Sequence, residues 1–234
     1  MRIGIVLQAR LDSSRLPRKA LLPFGGIPMV EACMRRLSRF PAAARVLACD
    51  EASAATFAPL AARAGFELVP GPKEDVLARF ALAIRSFSLD RVIRATADNP
   101  FVSPELASIV SDRAVEADVD YAGLTGMPLG LGVEAVRASA LLAADAEAVD
   151  PFEREHVCPF LYRRPERFRV LREEAPAEYR YASGRVTVDT AGDYERALEL
   201  AREAGFDPST RLLVATLKAL DSGDWSLVQT WTAE

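Results

Sequence analysis

Four cations, Arg10, Arg15, Arg18 and Lys19, crowd into one short segment and are interleaved with Ser13, Ser14 and Pro17. They follow directly on a brief apolar run, Ile3, Ile5, Val6 and Leu7, whose length and polar borders mark a buried strand. Cations and hydroxyls gathered where a first strand ends suit a polyphosphate, because open α/β sheets bind ligands at the carboxyl ends of their strands. Pro17 stiffens the segment and limits how far Arg15 and Lys19 can wander. A plain solvated basic loop is the competing reading of the same residues.

Two acids sit in comparable places. Asp98 follows the apolar stretch Arg91–Thr96 and precedes Asn99-Pro100, and Asp189 follows Val186-Thr187-Val188. Carboxylates at strand ends beside a basic loop suit Mg²⁺, which takes one or two carboxylates together with substrate phosphate oxygens. Taken singly, each reads more readily as a helix cap or turn residue, and it is their combination with Arg10, Arg15 and Lys19 that favours a metal site. His156, the only histidine, could serve as a base, yet alone on a helix it reads rather as a structural or binding residue. There is no Gly-x-Ser-x-Gly and no Walker-type Gly-Lys-Ser or Gly-Lys-Thr, so hydrolysis through a covalent intermediate has little support.

These side chains need a scaffold that carries them to one edge. Gly25, Gly26 and Pro28 turn the chain into a helix reaching Phe40, followed by a strand at Arg45–Cys49 and an Ala-rich helix, Ser53–Ala64, stopped by Gly65. A short strand at Phe66–Val69 precedes Glu74–Phe87, where Val76, Leu77, Phe80, Ala83 and Ile84 describe one helical face. After the strand at Arg91–Thr96, Ser103-Pro104-Glu105 opens a capped helix. Strand and helix alternate up to this point, which predicts a parallel sheet covered on both faces.

Beyond Asp120 the alternation loosens. Gly123–Gly132 reads as a loop before a short strand at Val133–Val136, and Pro151–Tyr162 reads as a helix. Strands are expected at Phe168–Arg172 and Arg185–Val188, and Thr190-x-x-Asp193 resembles a capping box for an amphipathic helix. The tail Leu212–Trp231 reads as a further helix with an extended end, with Trp225 and Trp231 placed for a core or an interface.

The whole chain, 234 residues with a formal net charge of −4, can bury one full core, and residues 1–234 read as a single domain. An acidic balance argues against a nucleic-acid surface, so the local basic cluster points to a small anionic ligand. Cys33, Cys49 and Cys158 lack disulfide or metal spacing and read as buried thiols of a reducing compartment. With no signal pattern and no long apolar span, a cytoplasmic protein with no membrane insertion is expected.

Ala9-Arg10-x-x-Ser13-Ser14-Arg15-Leu16-Pro17-x-Lys19 resembles the first motif of the cytidylyltransferases that make CMP-activated sugars, with the nearest likeness to the spore coat polysaccharide biosynthesis protein F group. Gly25-Gly26-x-Pro28, Glu74–Arg79, Arg94-x-Thr96-x-Asp98-x-Pro100, Arg154-Glu155-His156-Val157 and Thr187-Val188-Asp189-Thr190 follow in that group's order. The resemblance implies a Rossmann-like three-layer α/β sandwich of the nucleotide-diphospho-sugar transferase type, with a mixed, mainly parallel sheet and often a homodimer. It implies that Leu7, Ala9, Arg10, Arg15, Lys19, Asp75 and Asp98 bind CTP, with Lys19, Arg15 and Asp98 catalytic. Asp98 and Asp189 would hold Mg²⁺, and Glu134, Arg154 and His156 would meet a sugar acceptor. Asp12 and Arg18 stand where the family commonly has glycine, Ala97 replaces another glycine, and Leu129 and Gly132 take the place of acids.

The reaction so implied is attack by an acceptor hydroxyl on the α-phosphorus of CTP, with pyrophosphate leaving. Two other readings stay open on the sequence: a glycosyltransferase of the same fold that uses a nucleotide sugar, and a non-catalytic nucleotide-binding homologue.

Overall fold

The structure is a computed structural model, and it describes residues 1–226 and 228. A seven-stranded sheet forms its centre, in the order β5 (Glu67–Gly71), β4 (Ala44–Asp50), β1 (Ile3–Ala9), β6 (Arg91–Thr96), β8 (Glu134–Arg137), β7 (Tyr121–Thr125), β9 (Val170–Glu174). β8 pairs antiparallel with both of its neighbours, and every other pairing in this sheet is parallel. A separate hairpin, β2 (Pro23–Phe24) with β3 (Ile27–Pro28), leads into the first helix.

Side chains alternate across β1 as a pleated strand requires. Ile5 and Leu7 face a core shared with α1 (Met29–Leu37), α2 (Ala54–Ala64) and α4 (Pro104–Glu116), whereas Val6 faces the opposite core with α3 (Val76–Phe87), α5 (Ala138–Glu147) and α7 (Pro159–Tyr162), and α6 (Pro151–His156) packs on α3. A third cluster gathers Phe24, Phe101, Leu131, Val186 and Val188 against α8 (Ala191–Ala204) and α9 (Thr210–Ser222). This is the expected three-layer α/β sandwich with a mixed, mainly parallel sheet.

From β1 the connections run outward through β4 to β5 and then return to β6 on β1's other side. The crossover helices diverge there, and the carboxyl ends of β1 and β6 border an open crevice. Gln8 lies in register with Thr96 across these two strands, so the loops after Ala9 and Thr96 leave the sheet side by side.

Several element assignments differ from the sequence reading. Tyr121–Thr125 is a strand, although Gly123 suggests a loop; a Cβ at Gly123 would lie 2.8 Å from the Tyr121 hydroxyl, so that position on the strand is tight for a side chain. Ala138–Glu147 is a helix that the sequence does not announce, being apolar with little contrast between its faces. Pro151–Tyr162 forms two short helices, broken where Val157 takes a φ of 72°. Arg185–Val188 is extended but joins no strand: Val186 N–H donates to Leu129 O and Val188 N–H to Asp98 O, both in loops. The capping box at Thr190 and Asp193 is present in full. Trp225 is part-exposed beyond α9, and Trp231 lies outside the described residues.

Candidate active site

The basic loop leaves β1 at Ala9 and is tied down from both sides. Leu11 N–H donates to Ser53 Oγ at 3.0 Å, and the Ser53 hydroxyl donates in turn to Asp50 at the end of β4. Arg18 adopts the left-handed conformation, φ 55° and ψ 28°, which glycine enters without strain. That kink starts a short 3-10 turn, Lys19–Leu21, and carries Lys19 inward.

Lys19 Nζ lies 3.1 Å from Asp98 Oδ2, 2.9 Å from Asp189 Oδ1 and 2.8 Å from Val188 O, and its side chain is only 15% exposed. Arg15 reaches the same Asp189 Oδ1 at 2.9 Å from the solvent side. The two aspartates, far apart in sequence, meet because Val188 N–H donates to Asp98 O at 2.8 Å and stitches their segments together. Burial raises the Asp189 pKa, but Lys19, Arg15 and Arg185 outweigh it and hold the carboxylate below its ordinary range.

These groups line a cleft of about 370 Å³ at the carboxyl edge of the sheet. Ala9, Arg10, Ser13, Ser14, Arg15, Lys19, Asp98, His156 and Asp189 all border it. Arg10 also contacts Glu155 at 3.4 Å across the opening, and His156 packs in a tilted arrangement against Phe152 with ring centroids 4.2 Å apart. A second cavity of about 420 Å³ adjoins the first along Arg94 and Thr96 and is lined by Tyr121, Met127, Leu129 and Glu134 among others. Glu134 is bound there to Arg94 and accepts from the Tyr121 hydroxyl at 2.7 Å. The Arg94 charge and these hydrogen bonds offset the cost of burial and keep its carboxyl below the ordinary range.

The remaining expected residues stand apart from the cleft wall. Leu7 is fully buried in the core, so only its backbone is near the crevice. Asp75 caps α3 by accepting from Ala78 N–H at 2.9 Å, and its other oxygen binds Arg154 at 2.6 Å. Arg154 is further held by Asp145 and by the carbonyls of Asp145 and Ala148, which makes it a clamp between α3, α5 and α6. Gln8 borders the site without having been singled out, and Arg79 and Glu155, which the resemblance named only within its motifs, border it too. Arg79, almost wholly buried, grips the carbonyls of Pro72 and Lys73 beneath the cleft, and Gln8 and Glu155 complete the wall. For Arg94 a signal was available, since an arginine inside an otherwise apolar strand must find a partner.

Two carboxylates converge on one ammonium here, which is a donor set that fits a divalent ion completed by phosphate oxygens and water. Among the described residues, no acidic, cysteine or histidine side chain joins them as a third ligand.

The fold is that of the nucleotidyltransferases, and the chain belongs to the cytidylyltransferase family, whose pattern matches residues 3–218. It is similar to the spore coat polysaccharide biosynthesis protein SpsF of Bacillus subtilis, 32% identical over 213 residues, covering 88% of this chain and 89% of that protein. Over a shorter stretch, 108 residues and 45% of this chain (42% of the relative), it is 35% identical to a 3-deoxy-manno-octulosonate cytidylyltransferase of Chlorobium luteolum. A solved cytidylyltransferase from Leptospira borgpetersenii shares the fold with a TM-score of 0.86 at 24% identity, covering 98% of this chain and 97% of that one. Among the described residues no helix is long and apolar enough to cross a membrane.

Proposed function

We propose that this protein transfers CMP from CTP to a hydroxyl of a sugar or acidic sugar, releasing pyrophosphate, in the synthesis of a polysaccharide or other surface glycan. The observation that carries this reading is the convergence of Lys19, Arg15, Asp98 and Asp189 on one cleft at the sheet's switch point. Phosphoryl and nucleotidyl transfer ask the protein for positioning and charge stabilisation, with little covalent work. Arg10, Arg15 and Lys19 bind the triphosphate, and Arg15 and Lys19 offset the negative charge that builds on the departing pyrophosphate. Asp98 and Asp189 would hold Mg²⁺, which when bound polarises phosphate oxygens and neutralises their charge. The adjoining cavity takes the acceptor, with Glu134 as its polar anchor. His156 lines the nucleotide cleft and not the adjoining cavity. Arg154 acts here through Asp75 and α3, holding the helix that borders the nucleotide.

The test is a thermal-shift screen of the four ribonucleoside triphosphates with Mg²⁺, followed by pyrophosphate release on adding acceptor sugars. A specific ligand at a hundred times its Kd raises stability by about 2.7 kcal/mol, which a melting curve resolves. Stabilisation by CTP above the other triphosphates and acceptor-dependent pyrophosphate release are expected. Release of a nucleoside diphosphate from a nucleotide sugar would replace the proposal with glycosyl transfer, and CTP binding without turnover on any sugar would leave only a binding protein.

A further inference from the structure

Asp189 is gripped from two sides. Its Oδ1 faces the cleft and takes Lys19 and Arg15, while its Oδ2 faces away and takes Arg185 Nη2 at 2.9 Å. Arg185 borders a separate small hollow of about 200 Å³, with Ser183, Thr187, Asp193 and Arg196, and has no place in the cleft lining. A nucleotide in the cleft therefore meets Asp189 directly and Arg185 only through it.

Arg185 is itself fixed. Its Nε donates to Asp193 Oδ1 at 3.1 Å, and the other oxygen of Asp193 accepts from Asp189 N–H at 3.0 Å and Thr190 N–H at 2.9 Å. The capping box of α8 thus holds both the backbone and, through Arg185, the side chain of Asp189. Aspartate χ2 is a broad torsion with no strong well of its own, so a carboxylate needs an outside contact to set its plane. Lys19 and Arg15 cannot supply that contact once a triphosphate recruits them. Arg185 remains, and because Asp193 balances its charge it orients Asp189 while adding little net positive charge beside a cation site.

We propose that Arg185 is a positioning residue for nucleotidyl transfer: from behind the cleft it sets the Asp189 carboxylate so that Oδ1 stays turned toward the bound divalent ion. This rests on the proposed function, in which Asp189 is a metal ligand. Partners that orient a ligand in this way commonly govern metal affinity by 10- to 100-fold.

The test uses Mn²⁺ as probe, with its free concentration read by electron paramagnetic resonance in the presence of saturating CTP, on the full chain and on Arg185→Met and Arg185→Lys. Arg185→Met is expected to weaken Mn²⁺ binding about 10-fold or more. At saturating metal its KM for CTP should stay within about threefold of wild type, because the triphosphate ligands are untouched. Arg185→Lys keeps the charge but cannot span both Asp189 and Asp193, and it should recover part of the affinity. A merely structural arginine would lower the melting temperature of both variants and leave the Mn²⁺ dissociation constant alone, which overturns the proposal. Should Arg185→Met fail to fold, the lysine variant decides: wild-type Mn²⁺ affinity there also overturns it. If the wild-type chain binds neither CTP nor CTP-dependent Mn²⁺, the functional reading falls and this inference with it; if wild type binds both and the variants match it, only the inference falls.

Discussion

Lys19→Met separates what the ammonium does for the fold from what it does for the reaction. Lys19 is the cation between Asp98 and Asp189. At the 3.1 and 2.9 Å separations of these pairs and an effective dielectric near 20, each interacts by about 5 to 6 kcal/mol before desolvation is subtracted. Both carboxylates retain some solvent, and Arg15 stays on Asp189, so the net loss of stability should be about 2 kcal/mol. For a chain of this size that lowers the melting temperature by roughly 4 to 8 °C. Turnover should fall further, by about 10²- to 10³-fold, as when one preorganised donor to developing charge is removed. Mg²⁺ supplies the discriminating measurement. With the ammonium gone, the two carboxylates are left for a divalent ion, and at ten times its Kd the ion returns about 1.4 kcal/mol. Differential scanning fluorimetry without nucleotide should therefore show a larger Mg²⁺-induced rise in the variant than in wild type, alongside a pyrophosphate-release assay with CTP. A variant that melts with wild type, responds no more strongly to Mg²⁺ and keeps turnover within threefold would refute the reasoning.

Asp98→Asn should abolish metal-dependent pyrophosphate release while far-ultraviolet circular dichroism stays native, since the amide keeps the shape and loses the charge that a cation needs; wild-type rates would remove Asp98 from the mechanism. Gly130→Ala should destabilise by about 2 kcal/mol or more in urea titration and weaken CTP binding too: Gly130 has a φ of 103°, and an added Cβ would lie 2.6 Å from Thr187 N on the segment that carries Asp189. Asp193 is opposed by burial but held at about 2 by Arg185, Thr190 and backbone donors. Its folded value lies below its unfolded one, so its contribution is fully present above about pH 4 and is lost as the pH falls through 2. Asp193→Asn should accordingly cost about 1 to 2 kcal/mol at pH 7 after allowance for solvent, with the gap to wild type narrowing at pH 3 in urea titrations.

Where local chemistry marks an element, the sequence announces it. Asp75 and Ser103 cap α3 and α4 at the residues where an acid or a serine precedes the apolar period, and the Thr190–Asp193 box opens α8. The apolar run before Arg10 has to be a central strand, and its end has to carry the loop. What escapes such reading is partnership across the fold. Nothing local distinguishes Arg154, which clamps Asp75 and Asp145, from an arginine facing a substrate. Arg185–Val188 has the composition of a strand, yet its hydrogen bonds go to loops, and the same bonds bring Asp189 to Asp98.

The two loop positions where the resemblance leads one to expect glycine, Asp12 and Arg18, make the same point about charge. An acid at Asp12 beside a triphosphate looks unfavourable in one dimension. In the fold its carboxylate is 2.5 Å from Lys73, which arrives from the turn between β5 and α3 and leaves the Lys19 side of the loop untouched. Lys73 and Asp12 hold each other charged, the hydrogen bond between them raising one pKa and lowering the other. Arg18 carries its side chain through a left-handed turn at a cost of about 1 to 2 kcal/mol, and the turn itself is what aims Lys19 inward. Asp12 and Arg18 both border a hollow on the other side of the loop and not the cleft itself, so neither disturbs the arrangement of Lys19, Asp98 and Asp189.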